Sequence, residues 1–353
     1  MSQTIAVDIN PATRAVVTGT ERYTRELCAR LPQVAPDLTW RFFASRPKSD
    51  LGVDVTVLPF RRLWSQARLP VALARVRPDL LFVPGHSVPF AWTGRALAVV
   101  HDLAFERHPD AYRAPQRILL QLTTRWAVSR CRLLIAVSES TRQDLVSLYG
   151  ADANRIRVVP HGGGEPSNVS PASASQLGAL GLTGDFVLQV GRVEARKNQL
   201  AALAAVERVS GLTLAVAGPE ADSGLAARLR ASRSVRLLGR VDDATLELLY
   251  KRARAVVVPS VYEGFGLPVL EAMSRGQVVV AARTSSLPEV GGDAVLYVDD
   301  PGDAAAFASV LQQAIADGAA RASITRRAIA RAREFTWDRC AVKTAEVVRE
   351  ALT

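Results

Sequence analysis

The sequence predicts an α/β protein of two domains, each built around a mostly parallel sheet. Short apolar runs alternate with longer segments of helical periodicity along nearly the whole chain. This alternation stops at residues 161–182, which are rich in Gly, Pro, Ser and Ala, and then restarts. A chain of 353 residues is also longer than a domain with a single hydrophobic core usually is. We therefore expect domains at residues 1–165 and 166–335, followed by a last amphipathic helix at residues 336–353.

The expected strands are short runs rich in Val, Leu, Ile and Ala that end at turn or helix signals. They lie at residues 4–8, 39–44, 53–58, 80–83, 97–100, 133–137, 157–160, 186–190, 212–217, 235–238, 255–258, 278–281 and 294–298. The expected helices follow them, at residues 21–31, 114–130, from 138 onward, 198–209, 225–231, 243–252, from 268 onward, 304–316, 321–334 and 337–352. Residues 285–289 are expected to form a turn.

Bulk composition excludes several classes of protein. Hydrophobic residues make up 48% of the chain and charged residues 22%, which are globular values. No run of about 18 apolar residues is present, so no membrane-spanning helix is expected. The net charge is +10, but no nucleic-acid-binding motif accompanies it, so we expect no nucleic-acid partner. Three scattered cysteines and an N-terminus without a basic leader predict a cytoplasmic protein without a cysteine metal site.

Residues 59–77 combine five arginines with aromatic and aliphatic side chains. Helices that lie on an anionic membrane surface have this composition. An ordinary amphipathic surface helix with its arginines in water has it too, so both interpretations stay open from the sequence. Peripheral contact with the inner face of the membrane through residues 59–77 is thus one expectation.

The most informative stretch is residues 258–275, VPSVYEGFGLPVLEAMSR. Glu263 and Glu271 bracket a glycine-rich turn that leads from an apolar strand into a helix. Gly264 and Gly266 let the backbone pass close to a ligand, and the amino end of the helix favours a phosphate. A first-turn acid interacting with the helix dipole would explain Glu271 equally well. Phosphate binding beside two carboxylates nevertheless indicates a nucleotide-sugar site.

Fixed positive charge follows the first strand of the second domain, in residues 191–198, GRVEARKN. Open α/β sheets bind ligands beyond the carboxyl ends of their strands, where this loop is expected. Arg192 and Lys197 would supply fixed positive charge there for an anion. A solvated loop would also account for an isolated Arg and Lys, but the glutamate motif supports an anion site.

These two motifs resemble those of retaining glycosyltransferases with the GT-B fold, in particular glycosyltransferase family 4. The string EGFGLPVLE, from Glu263 to Glu271, matches the E-x7-E motif of that family, and GRVEARKN matches its G-R-x4-K-N element. The resemblance spans nearly the whole chain. It implies two Rossmann-like α/β/α domains that face each other across a cleft. The first would bind the acceptor, the second the nucleotide-sugar, and the final helix would cross back to the first.

The resemblance also implies functions for individual residues. The expected catalytic residues are Glu263, His101, Arg192 and Lys197. The expected donor-binding residues are Gly19, Arg192, Lys197, Arg240, Val241, Gly264, Phe265, Gly266, Leu267 and Glu271. Glu263 would contact the sugar and Glu271 the ribose, while His86 and Asp102 would contact the acceptor.

The string His101-Asp102-Leu103 resembles a subgroup that acts on bacterial surface polysaccharides, many of whose members are mannosyltransferases. We therefore expect transfer of mannose from GDP-mannose to a lipid-linked or surface glycan, without a cofactor or metal. UDP-glucose, UDP-N-acetylglucosamine and dTDP-rhamnose stay open as donors. An enzyme like the UDP-N-acetylglucosamine 2-epimerases and a non-catalytic carbohydrate-binding module are alternatives of other classes.

Overall fold

A computed structural model describes residues 2–13, 19–47, 49–60, 64–85, 87–316 and 318–353. The chain forms two compact units. Unit 1 comprises Met1–Gly162 together with Thr336–Thr353, and unit 2 comprises Gly163–Phe335. The division falls at the start of the Gly- and Pro-rich stretch that the sequence marks as a linker.

Unit 1 alternates strands and helices, as its apolar runs predict. Its strands are β1 (Thr4–Asp8), β2 (Thr39–Ala44), β3 (Val55–Val57), β4 (Leu80–Val83), β5 (Ala96–Val100), β6 (Leu133–Ala136) and β7 (Ile156–Val158). Its first five helices are α1 (Gly19–Val34), α2 (Trp64–Val76), α3 (Ala104–Arg107), α4 (Ala114–Arg130) and α5 (Glu139–Tyr149). All strand pairs are parallel, in the order β3-β2-β1-β4-β5-β6-β7.

Unit 2 repeats this architecture with a second parallel sheet. Its strands are β8 (Phe186–Val190), β9 (Thr213–Ala217), β10 (Val235–Gly239), β11 (Ala255–Val258), β12 (Val279–Ala282) and β13 (Leu296–Val298). Its helices are α6 (Ser175–Ala179), α7 (Gln199–Val206), α8 (Ser223–Arg230), α9 (Asp243–Arg252), α10 (Leu267–Ser274), α11 (Leu287–Gly291), α12 (Ala304–Ile315) and α13 (Ala319–Ala332). The strand order is β10-β9-β8-β11-β12-β13.

The last helix, α14 (Trp337–Leu352), belongs to unit 1. Its buried positions recur at helical spacing and include Trp337, Ala341, Val348 and Leu352. Arg30 on α1 donates to Asp338 at 2.8 Å, which ties the start of α14 to α1. No helix among the described ranges is long and apolar enough to cross a membrane.

Each expected strand is present, with bounds that differ by a few residues. The central strands are buried along their whole length, which is why they read as continuous apolar runs rather than alternating ones. The turn predicted at residues 285–289 is wrong in part, because the short helix α11 begins at Leu287. Pro288 suits its first turn, where a backbone donor is not needed.

Candidate functional site

The candidate site lies at the carboxyl ends of β8 and β11, the neighbouring strands at which the strand order of unit 2 reverses. From β8 the chain builds outward through β9 and β10, and it then returns to add β11 on the other side. Ligands of open parallel sheets bind in the crevice beyond such a switch point. The loop after β8 carries Arg192 and Lys197, and the loop after β11 carries Glu263.

The loop after β8 is held in place by amide side chains. Gln189 on β8 donates to the Lys197 carbonyl at 2.7 Å. Asn198 adopts a left-handed backbone with φ of 54°, a conformation that Asn tolerates better than most residues. Its side chain donates to the Pro259 carbonyl at 3.1 Å. The two loops of the site are therefore joined at their bases.

The loop after β11 is fixed through its backbone. The Val261 amide donates to the Arg196 carbonyl at 2.9 Å. The Glu263 amide donates to the Ser285 hydroxyl at 2.8 Å, and the Ser286 hydroxyl donates to the Glu263 carbonyl at 2.9 Å. Because both its amide and its carbonyl are engaged, Glu263 presents its side chain in a defined direction.

Lys197 and Glu263 form a buried ion pair. The Lys197 Nζ lies 2.5 Å from Glu263 Oε1, and the residues are 9% and 6% exposed. Ser260 donates to the same oxygen at 2.8 Å. Burial alone raises the pKa of Glu263, but Lys197 and Arg196 outweigh it and hold this pKa at about 2. Burial lowers the pKa of Lys197, an effect that the attraction of Glu263 opposes. The Glu263 carboxylate is thus ionised at neutral pH.

Three further charged residues of the same loop join this pair. Arg196 Nη1 lies 3.3 Å from Glu263 Oε2, and Arg196 also contacts Glu194, with 2.8 Å between Nε and Oε1. Arg192, which is exposed, lies 3.1 Å from the other oxygen of Glu194. The sequence analysis singled out Arg192 and Lys197 but missed Glu194 and Arg196. Their signal was present in the same string, GRVEARKN, as alternating acid and base.

The glycine-rich turn leads into α10 as expected. Gly266 caps the helix with φ of +105°, a conformation that residues with a side chain rarely adopt. Gly264 and Phe265 are buried before it, and Leu267 begins the helix. The amino end of α10 therefore follows the Glu263 loop directly, and the positive end of its dipole favours an anion there.

Glu271 lies beyond the first turn of α10, whose first turn contains no acidic residue. The interpretation of Glu271 as a first-turn acid is therefore wrong, because the dipole effect fades within that turn. Glu271 is partly exposed and accepts a hydrogen bond from the Tyr250 hydroxyl at 2.9 Å.

Arg240 and Val241 follow β10, the edge strand of the sheet. Arg240 is exposed and Val241 half-buried. The neighbouring loop after β9 approaches this segment, because the Gly218 amide donates to the Gly239 carbonyl at 2.8 Å. Their contact with a nucleobase stays a prediction.

The expected residues of unit 1 lie near its own switch point, between β1 and β4. Gly19 begins α1, and the half-buried His101 and Asp102 follow β5. Asp102 accepts from the Ala104 amide at 3.0 Å, as the start of α3 requires. His86 lies outside the described residues.

Both ring nitrogens of His101 have protein partners. Nε2 lies 2.7 Å from the Pro84 carbonyl oxygen, which can only accept, so this nitrogen carries the proton. Nδ1 lies 3.2 Å from Nε2 of His161, which then donates. Burial lowers the pKa of both imidazoles. A ligand contact through either nitrogen of His101 therefore requires exchange of a protein partner.

The contact of His161 with His101 was not foreseen from the sequence. The buried Tyr23 ring packs against both imidazoles, with centroid distances of 4.9 Å to His101 and 4.8 Å to His161. Trp337 of α14 lies 6.1 Å from His161. Sequence separation hides such a cluster, because its members come from four segments. In the described part of the chain, no group of three or more His, Cys, Asp or Glu side chains could hold a metal ion.

Family models cover both units. Residues 178–331 match the model described as glycosyl transferases group 1, and residues 17–162 match the model of glycosyltransferase family 4. The chain belongs to this family of glycosyltransferases, and its two parallel α/β sheets are those of the GT-B fold.

Individual relatives agree with this assignment. The chain is 33% identical over 270 residues to the O-antigen chain mannosyltransferase B of Escherichia coli, covering 71% of this chain and 69% of that protein. It is 32% identical to the D-inositol 3-phosphate glycosyltransferase of Frankia alni, covering 82% and 73%. Among solved structures, Anabaena HepE in complex with UDP and glucose superposes with a TM-score of 0.77 at 20% identity, over 99% of this chain and 100% of that one.

Proposed function

We propose that this glycosyltransferase moves a hexosyl group from a nucleotide-sugar to an acceptor hydroxyl with retention of anomeric configuration. The observation that carries the proposal is the Lys197–Glu263 pair at the switch point of unit 2, next to the amino end of α10. Three cations and two carboxylates meet there: Arg192, Arg196 and Lys197 with Glu194 and Glu263. Their surplus of one positive charge suits a diphosphate.

In the proposed reaction the bond between the anomeric carbon and the phosphate oxygen breaks. The acceptor oxygen bonds to the same face of that carbon, and the departing phosphate oxygen takes the acceptor proton. Arg192 and Lys197 stabilise the charge that develops on the diphosphate, which is the task of a metal ion elsewhere. Glu263, ionised at neutral pH, accepts hydrogen bonds from sugar hydroxyls. Glu271 binds the ribose hydroxyls.

The proposed donor is GDP-mannose, because a similar protein is named an O-antigen chain mannosyltransferase. The complex of HepE with UDP and glucose favours UDP-glucose as the second candidate. The proposed acceptor is a lipid-linked or growing surface glycan bound by unit 1, with Asp102 near it. Such an acceptor places the protein at the inner face of the membrane, where residues 59–77 are the proposed contact.

A transfer assay with GDP-mannose, UDP-glucose, UDP-N-acetylglucosamine and dTDP-rhamnose tests this proposal on glycolipid acceptors. We expect product from one donor, with the anomeric configuration of that donor by NMR. The Glu263→Gln variant should lose at least about 100-fold in turnover, since it loses the charge that orients the sugar. Glu220→Gln, an exposed carboxylate paired with Arg230, is the matched control and should keep full activity. Inverted product, or full activity of Glu263→Gln, would contradict the mechanism.

A further inference from the structure

One face of unit 1 exposes an unusual amount of apolar surface. Ile118, Leu119 and Leu122 on α4 are 52%, 52% and 54% exposed. Single exposed apolar residues are ordinary, but a contiguous group marks an interaction site. Eleven large hydrophobic side chains are strongly exposed in the described part of the chain. Seven of them lie on α2, on α4 or beside them: Phe60, Val71, Val76, Phe90, Ile118, Leu119 and Leu122.

We call the surface that carries these side chains the α2–α4 face. Ile118, Leu122 and Trp126 are spaced four residues apart, so they form one row along α4. Trp126 lies 5.5 Å from the Phe90 ring between centroids. The Phe90 amide in turn donates to the Gln66 side chain on α2 at 2.8 Å. The row on α4 is thereby connected to α2 through the loop that contains Phe90.

The charged residues of α2, of α4 and of the loop before β5 are of one sign. Residues 64–76, 88–95 and 113–130 contain no Asp or Glu. They contain seven arginines: Arg68, Arg75, Arg95, Arg113, Arg117, Arg125 and Arg130. Some of these guanidinium groups cover the aromatic rings of the face, with Arg68 5.3 Å from the Phe60 centroid and Arg130 5.7 Å from Trp126. Apolar side chains framed by arginines, without acids, complement a surface that offers both hydrocarbon and negative charge.

We propose that the α2–α4 face docks on an anionic lipid bilayer, with Ile118, Leu119 and Leu122 entering the boundary between headgroups and acyl chains. The arginines of α2 and α4 bind the phosphates of the headgroups. This deepens the membrane contact of the proposed function, because it assigns insertion to α4 rather than to residues 59–77 alone. Charge complementarity favours lipid, rather than a second copy of this chain, as the binding partner, because two such faces would bring arginines against arginines.

Flotation of the full chain with vesicles tests this docking. The vesicles are phosphatidylcholine alone, or phosphatidylcholine with about a third phosphatidylglycerol. We expect binding to the anionic vesicles that weakens as salt rises. The double variant Ile118→Ser with Leu122→Ser should bind at least about tenfold more weakly, because two half-exposed side chains no longer enter the bilayer. The matched control is Val342→Ser, an exposed apolar residue of α14, which should bind like the wild type.

The arginines are tested separately with Arg68→Gln and Arg125→Gln combined, against Arg228→Gln on α8 as the control. The combined variant should lose about tenfold or more on anionic vesicles, and the control should not. Circular dichroism confirms that each variant is folded.

Three results would overturn the proposal. One is absence of binding to anionic vesicles at low salt, and another is undiminished binding by the Ile118 and Leu122 variant. The third is a dimer, by light scattering, that this variant dissociates, since the occupant would then be a second copy. None of these depends on donor binding. If the chain binds nucleotide but no vesicles, only the docking proposal is rejected. If it binds vesicles but no nucleotide, only the proposed function is rejected.

Discussion

The carboxyl group of Glu263 is subject to two opposing effects. Burial disfavours its charge, whereas Lys197 and Arg196 favour it. Because the attraction of these positive residues exceeds the cost of burial, Glu263 remains ionised inside the protein. Removing one partner of such an ion pair strongly destabilises a protein, because the remaining charge is then buried without a counter-charge. The pair also holds Lys197 at the edge of the sheet, where we propose that the diphosphate binds.

Glu263→Gln should therefore destabilise unit 2 by roughly 3 kcal/mol at neutral pH. The pKa of Glu263 falls from 4.5 to about 2 on folding. Its ionisation thus stabilises the protein fully above pH 4.5, and this contribution is lost as the pH falls towards 2. The difference in stability between wild type and variant should shrink over that range. Hydrogen exchange of unit 2 peptides measures it, with Glu220→Gln as the control. A difference that does not change with pH would contradict the ionised pair.

The His101–His161 pair predicts a second pH effect, in unit 1. Burial lowers the pKa of each imidazole on folding, so the unfolded chain takes up protons first as the pH falls below about 6.5. Stability should therefore decline from this pH downward, by up to about 1.4 kcal/mol per pH unit for each histidine. His161→Gln should reduce this slope, and His108→Gln should not. Tryptophan fluorescence reports the unfolding, because all five tryptophans lie in unit 1. Equal slopes in wild type and His161→Gln would exclude a buried neutral pair.

The sequence singled out candidate site residues that stand in short, distinctive strings. Lys197 and Glu263 were chosen in this way, and the structure pairs them although 66 residues separate them. Arg196 and His161 were missed, because their importance comes from partners on other segments. A string of residues shows which chemistry is available, but only the fold shows which charges meet.

Among the elements, the loops after β8 and β9 are packed too closely for a side chain at Gly218. A Cβ built there would lie 2.0 Å from the Gly191 carbonyl oxygen, and the residue has φ of +155°. Gly191 begins the loop that carries Arg192 and Lys197. The close approach of these two loops thus fixes where the cationic segment starts.

Gly218→Ala should destabilise unit 2 by at least about 2 kcal/mol and shift the loop after β8. We expect weaker binding of nucleotide, with a larger change in KM for the donor than in kcat. Urea unfolding followed by circular dichroism and steady-state kinetics measure the two effects. Gly178→Ala is the matched control, because no atom lies within 4 Å of a Cβ there and it lies in α6. A Gly218→Ala variant with wild-type stability would show that the two loops can separate without cost.

Element type followed from apolar periodicity, and element ends followed from it only in part. Strands such as β1, β2, β4, β8 and β11 have the bounds that their apolar runs predict. The failure at residues 285–289 has a local cause: Ser285 adopts φ of +45°, and a helical turn begins two residues later. Polar residues there read as a turn, yet Ser285 and Ser286 serve to hold Glu263.

At the scale of the whole molecule, the chain contains two switch points, one in each parallel sheet. Sequence composition foresaw two domains because the alternating pattern stops and restarts. It could not foresee which apolar residues α4 would expose, since apolar residues on a helix usually indicate a core face. That distinction required the packing of α4 against its sheet.

Hydrogen exchange with and without GDP, UDP or dTDP tests most directly whether unit 2 binds a nucleoside diphosphate at the carboxyl ends of β8 and β11. We expect slower exchange in residues 191–198 and 259–267, because the ligand covers the cationic loop and the amino end of α10. Lys197→Met should lose this protection. Protection by GDP, UDP or dTDP that is confined to unit 1, or that persists unchanged in Lys197→Met, would contradict the account.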